Sequence, residues 1–167
     1  MKGLDLAEAF FRTHGASLLA GRYPSDRIAA GLVGEGSDCL GFDDPLSRDH
    51  DWGPGFCLWL TADDHRAFGP ELQRDYETLP DTFMGFHREA GAWGAARVGV
   101  FETGAFYRGF LGPRDLPATV GEWLRIPEKA LSAATSGRVF EDPLGEFSRR
   151  RENSDRKSTR LNSSHIT

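Results

Sequence analysis

Gly34-Glu-Gly-Ser-Asp-Cys-Leu-Gly-Phe-Asp-Asp-Pro-Leu-Ser-Arg-Asp-His-Asp51 is the stretch on which the reading of the chain turns. An apolar run, Ile28-Ala-Ala-Gly-Leu-Val33, leads into it, and it ends on two aspartates separated by one histidine. On an extended backbone Asp49 and Asp51 share a face, with roughly 6.6 Å between them along the strand. Two bare carboxylates at that range repel by about 2.5 kcal/mol at an effective dielectric near 20. A cation between them removes the repulsion. Mg²⁺ or Mn²⁺ suits the pair, because these ions take oxygen ligands and Mg²⁺ keeps positions open for substrate phosphates. Gly36-Ser37 adds a small residue, a hydroxyl and backbone N–H groups that can approach a phosphate closely.

Each of these residues also has a plainer reading. Asp49 and Asp51 could be turn residues that bond the backbone ahead of Gly53-Pro54, and Asp38, Asp43 and Asp44 read most simply as turn chemistry. Alternation points His50 away from its neighbours, as a packed or hydrogen-bonded structural histidine. Trp52 reads as core or rim. Arg48 could meet a triphosphate or pair with Asp43 or Asp44. Two other motif readings fail. Gly31-x-x-Gly34-x-Gly36 lacks the glycine order of a dinucleotide fingerprint and does not open a helix. Asp49-x-Asp51 lacks the twelve-residue spacing of an EF-hand loop.

Gly36-Ser37, a connection containing Gly41, and Asp49-His-Asp51 together resemble the signature of the polymerase-β-type nucleotidyltransferase superfamily. In that signature a Gly-Ser closes one strand and an Asp-x-Asp pair sits on the next. More narrowly, Ala30-Gly-Leu-Val-Gly-Glu-Gly-Ser-Asp38, Leu40-Gly-Phe-Asp-Asp44 and Ser47-Arg-Asp-His-Asp-Trp-Gly-Pro54 are similar to an uncharacterised bacterial family, domain of unknown function 4037. Glu122-Trp-Leu124, Leu131 and Thr135-Ser-Gly-Arg-Val-Phe-Glu-Asp142 carry the same resemblance, which spans most of residues 5–150. It implies a small mixed β-sheet with helices on one face. It also implies metal-holding, catalytic Asp49 and Asp51, and nucleotide-binding Gly36, Ser37 and Arg48. A third catalytic carboxylate is implied on a later strand, and Glu102 is the candidate.

Composition sets outer limits. A chain of 167 residues fits one domain with a substantial core. A net charge of −5 provides no general basic field for nucleic acid. With no long apolar run and no basic-then-apolar leader, the chain reads as soluble, unsecreted and cytoplasmic, with no membrane partner. Cys39 and Cys57 make neither a disulfide framework nor a metal-ligand spacing. The last stretch, Asp155–Thr167, resembles the in-frame translation of a common sequencing adapter, and its plainer reading is a natural polar, disordered tail. It is therefore set apart from a domain at 1–154 whose reading frame is expected to have been cut near Ser154.

The remaining elements follow from periodicity and punctuation. Apolar spacing predicts a helix from Leu4 that stops at Gly15, and a short helix through Ala16–Gly21. Ile28–Val33, Phe56–Leu60, Arg97–Glu102 and Val139-Phe140 read as strands, and the Ala-Ala-Gly of the first suggests close approach by a neighbouring backbone. Thr61 opens a helix that runs to Tyr76-Glu77, and residues 81–93 read as loop. Thr103 is expected to cap a helix through Leu111, and Thr119-x-x-Glu122 is a capping-box pattern. Pro127 is expected in the first turn of a helix over 128–135 that Gly137 terminates. Asp142-Pro-Leu-Gly145 reads as a turn, and Arg149-Arg-Arg151 as a solvated helix face. Strands alternating with helices give an α/β or α+β class.

The function these readings imply is metal-dependent nucleotidyl transfer from a nucleoside triphosphate to an acceptor hydroxyl. The alternative is a non-catalytic nucleotide-binding or regulatory module on the same fold. Residues 155–167 have few apolar side chains and no periodic face. Deleting them is expected to leave the thermal midpoint within about 2 °C, a shift below that of 1 kcal/mol for a chain of this size. A fall of several degrees would make the segment part of the fold.

Overall fold

Residues 3–34, 54–87, 98–112 and 119–154 are described by the structure, a computed structural model. Its central strand is the apolar Cys57–Leu60, with all four residues 0–1% exposed. We number elements in chain order: α1 (Gly3–Phe10), a π-helical turn (Phe11–Gly15), α2 (Ala16–Leu19), β1 (Ala29–Leu32), β2 (Cys57–Leu60) and α3 (Ala62–Glu77). The hairpin strands β3 (Thr82–Phe83) and β4 (Phe86–His87) come next, then β5 (Gly99–Glu102), α4 (Thr103–Leu111), α5 (Val120–Leu124), α6 (Glu128–Thr135) and β6 (Arg138–Glu141). A further helix, α7, spans 146–154.

The sheet is mixed, in the order β5-β2-β1-β6, so the expected α/β class is the observed one. β1 pairs antiparallel with β2 and with β6, whereas β5 runs parallel to β2. A parallel neighbour needs a crossover. The chain between β2 and β5 includes α3, which Thr61 starts by accepting a hydrogen bond from the Asp64 N–H at 3.2 Å. Because every residue of β2 is apolar, both faces of the sheet have to be covered. Ala30, Leu58 and Leu60 pack against Phe10, Phe11 and Leu19 and against Leu72 and Tyr76 of α3. Ala29, Cys57 and Trp59 pack against Tyr107, Leu111, Ala134 and Phe147. Helices thus lie on both faces, where the resemblance implied one.

α1 guards the β6 edge. Arg138 donates to Asp5 at 3.0 Å and Glu8 at 3.2 Å, and Arg12 reaches Glu141 and the Phe140 carbonyl. The hydrogen bond to Asp5, followed by that to Glu8, raises the Arg138 pKa. Exposed pairs of this kind contribute little stability each, but together they hold a helix along an edge that would otherwise be open.

Several local expectations change. Gly15 does not stop the first helix. It is right-handed helical (φ −68°, ψ −42°), and a Cβ there would lie 2.6 Å from the Phe11 ring and 2.7 Å from that of Phe56. The glycine makes room for packing, and the chain continues through a π turn into α2. Within the stretch read as loop, Met84 (φ 51°) and Gly85 (φ 82°) form the left-handed pair of a two-residue hairpin turn. Methionine is a poor signal for such a turn. Phe83 anchors the hairpin on Phe10, with ring centroids 5.2 Å apart. Pro127 is the N-cap of α6, one position ahead of its first turn. Arg151 is half-buried and donates to the Thr135 and Gly137 carbonyls at 3.0 and 2.8 Å, so the arginine run is only partly a solvated face. Among the described residues no helix is long and apolar enough to cross a membrane.

Where β1 meets β6 the backbones come close, as the Ala-Ala-Gly sequence suggested. A Cβ on Gly31 would lie 2.5 Å from the Arg138 carbonyl oxygen, and one on Gly137 (φ 92°) 2.0 Å from that of Leu32. Gly145 (φ 71°) has nothing nearer than 4.0 Å. Gly145→Ala therefore tests backbone strain alone, with an expected loss of about 1 kcal/mol. Gly137→Ala adds the overlap, with an expected loss of about 3 kcal/mol or more. Urea midpoints compared at unchanged m-value measure both.

Candidate functional site

The register of the sheet gathers four strand ends. Gly31 stands opposite Cys57, so Gly34 after β1 and Pro54 before β2 lie at the same end. Gly99 pairs with Cys57 and Arg138 with Leu32, which brings the starts of β5 and β6 to that end as well. The chain leaves this end at Gly34 and returns to it at Pro54. The segment between them carries Gly36, Ser37, Arg48, Asp49 and Asp51, which lie outside the described residues.

The frame at this end is held by side chains that sequence reading did not single out. The Tyr76 hydroxyl donates to the Phe56 carbonyl at 3.0 Å and accepts from the Phe56 N–H at 3.2 Å, and the Gly99 N–H also bonds that carbonyl at 3.1 Å. Gln73 Oε1 accepts from the Val100 N–H at 2.8 Å and sits where a Cβ on Gly99 (φ 126°) would come within 2.7 Å. Both Gln73 and Tyr76 project from α3. The signal available in the sequence was only a polar residue and a tyrosine three apart near the end of an amphipathic helix.

Glu102, the candidate third carboxylate, is described, and it stands at the other end of the sheet. It pairs with Leu60, three residues along β5 from Gly99, a strand distance of about 10 Å. Its carboxylate accepts from the Gly104 N–H at 3.1 Å and the Ala105 N–H at 2.8 Å, and it pairs with Arg108 at 3.1 Å. Glu102 is the N-cap of α4, the role expected of Thr103. Thr103 is instead buried in the first turn, its hydroxyl donating to the Leu60 carbonyl at 3.0 Å. The Glu102 side chain also lines a groove of about 510 Å³ with His65, Phe101, Phe106 and Phe110. No group of three or more His, Cys, Asp or Glu side chains is placed to hold a metal among the described residues.

The string Thr135–Asp142, singled out in the sequence, forms a joint, with Ser136 as the C-cap of α6. Thr135 bonds the Leu131 carbonyl at 2.9 Å, and Gly137 lets β6 meet β1. Arg138 and Glu141 tie α1, while Val139 and Phe140 enter the core. Asp142 accepts from the N–H groups of Gly145 at 3.1 Å and Ser148 at 2.7 Å, which sets the start of α7.

Comparison with known proteins bears on this same region. Residues 123–159 match the model of a family described as Domain of unknown function (DUF4037). The match covers well under half of the chain, and it supports the resemblance read at Trp123, Leu131 and Thr135–Asp142. It also extends past Ser154 into 155–159. No curated protein and no solved structure matches the chain.

The capping role of Glu102 is testable apart from any catalysis. Glu102→Ala is expected to lose about 1 kcal/mol in chemical denaturation, and Glu102→Asn, a good N-cap, to recover most of it. An Ala variant as stable as the parent would show that the cap contributes nothing.

Proposed function

We propose that the chain carries a metal-dependent nucleotidyl-transfer site. The observation that carries the reading is the run of Gly36-Ser37 and Asp49-His-Asp51 in the connection between β1 and β2. These strands are antiparallel neighbours whose facing ends the chain joins. That arrangement supports the superfamily pattern, in which Gly-Ser follows one strand and the acid pair belongs to the next.

In this reading Gly36 admits a phosphate close to the backbone, and Ser37 with neighbouring N–H groups orients the β- and γ-phosphates of a nucleoside triphosphate. Asp49 and Asp51 would hold Mg²⁺ or Mn²⁺, which when bound neutralises charge on the phosphate oxygens. An acceptor hydroxyl attacks the α-phosphorus in line, the bond to the bridging oxygen breaks, pyrophosphate leaves, and the hydroxyl proton passes to a base. Arg48 would add a guanidinium to the phosphates. Glu102 could serve as that base only by giving up the α4 N-cap and Arg108. This prior engagement favours a second reading, a nucleotide-binding module without transfer.

The two readings separate on one set of variants. For the catalytic site, Ser37→Ala is expected to cost about 1–3 kcal/mol, mostly in nucleotide affinity. Asp51→Asn is expected to cost several kcal/mol in transfer rate. Calorimetry with Mg²⁺ and nucleotide, together with transfer of α-labelled nucleotide to cell-extract acceptors, measures both. Metal binding should disappear when Asp49→Asn and Asp51→Asn are combined. Tight nucleotide binding without transfer in any variant selects the binding module, and no nucleotide binding at all overturns both readings.

A further inference from the structure

The groove of about 510 Å³ between β5, α4 and α3 has no part in the transfer reading. Its volume falls within the range of small-molecule sites, about 300–1,000 Å³. Its wall is aromatic. Phe101, Phe106 and Phe110 are half-buried, and the Phe106 ring lies 5.2 Å from each of the other two. Phe106 also meets Trp59 edge-on at 5.4 Å, which ties the wall to the core.

Two polar side chains join this wall, His65 and Glu102, and each is held in place. A Cβ on Gly69 would lie 2.8 Å from His65 Cδ2, 3.0 Å from its Cγ and 3.1 Å from its Nε2, so the imidazole rests over the glycine one turn on. Glycine inside a helix is unfavourable relative to alanine, and the seat of His65 supplies a reason for it here. Glu102 is fixed by the N–H groups of Gly104 and Ala105 and by Arg108. A carboxylate has about four acceptor positions, so these three bonds leave one for a ligand. Among the described residues no lysine or arginine lines the groove. Aromatic faces attract cations, so rings and carboxylate favour the same sign of charge.

We propose that this groove binds a small aromatic amine. Its ring lies against Phe101, Phe106 and Phe110, its ammonium takes the remaining position on Glu102, and His65 fixes its orientation. This role leaves the α4 cap intact. The proposal stands apart from the 35–53 connection and does not depend on the transfer reading.

Tryptamine, an indole ring carrying an ammonium, is the probe, and indole-3-propionate, a similar ring carrying a carboxylate, is its control. The isotope-labelled full chain is titrated with each and followed by amide chemical shifts. Tryptamine is expected to move the signals of Phe101, Glu102, Ala105 and Gly109 with a Kd of about 5 mM or below, as suits a ligand of about a dozen non-hydrogen atoms. Indole-3-propionate should bind at least about tenfold more weakly, and Glu102→Gln should remove most of that preference. His65→Ala and Gly69→Ala should each weaken tryptamine by about fivefold or more. Gly69→Ala is the better helix former, so lost binding there is not lost fold. No shift at these amides would overturn the site. So would equal affinity for the two probes, which marks a non-specific apolar surface, or unchanged affinity in both His65→Ala and Gly69→Ala.

Discussion

Burial of Cys57–Leu60 from both sides is the constraint on which the other elements depend. Each of the larger side chains there contributes about 1.5–3 kcal/mol when fully removed from water, but only if both faces are covered. Leu58 and Leu60 call for the N-terminal helices and α3, whereas Cys57 and Trp59 call for α4, α6 and α7. The parallel pairing with β5 follows from the same strand, because a helix that covers one face is also the crossover. Trp59 is the largest of these demands. Gly31 yields space to its ring, since a Cβ there would come within 3.0 Å of it, and Phe147 closes it from outside.

The end of the sheet from which the motif segment departs is braced by side chains from α3 and α7. Tyr76 bonds both backbone groups of Phe56, Gln73 reaches the edge strand, and Arg151 holds the turn into β6. Gly99 and Gly137 adopt positive φ, and a Cβ on Gly137 would overlap the Leu32 carbonyl oxygen. Binding and catalytic groups work best when carried on a rigid scaffold. A frame of this kind at the point of departure agrees with a ligand site in the 35–53 connection. Glu102, at the far end of β5 and committed to a helix, is the least well supported of the candidate residues.

Much of the fold was legible because it rests on local chemistry. Thr61 and Thr119 announce helix starts by accepting N–H bonds from Asp64 and Glu122. Gly137, read as the stop of α6, lies beyond a C-cap at Ser136 that is already extended (φ −89°, ψ 165°). What was not legible depends on contacts distant in sequence. Gly15 resembles a helix stop, and only the approach of Phe56, 41 positions on, shows that it is a packing residue. Glu102 looked like an acid aimed into a site, because nothing in one strand reveals that the following helix needs its carboxylate. The candidate site was read from residue types and spacing alone, in a segment outside the described residues, and the family match supports the resemblance over residues 123–159.

Paramagnetic broadening by Mn²⁺, added with a non-hydrolysable nucleoside triphosphate to isotope-labelled protein, tests the central claim most directly. A metal and nucleotide held by the 35–53 connection should broaden the amides of Val33, Gly34, Gly55 and Phe56 first. Those of Glu102 to Gly104, about 10 Å further along the sheet, should respond later. Broadening centred on Glu102, or none at either end, would contradict the account.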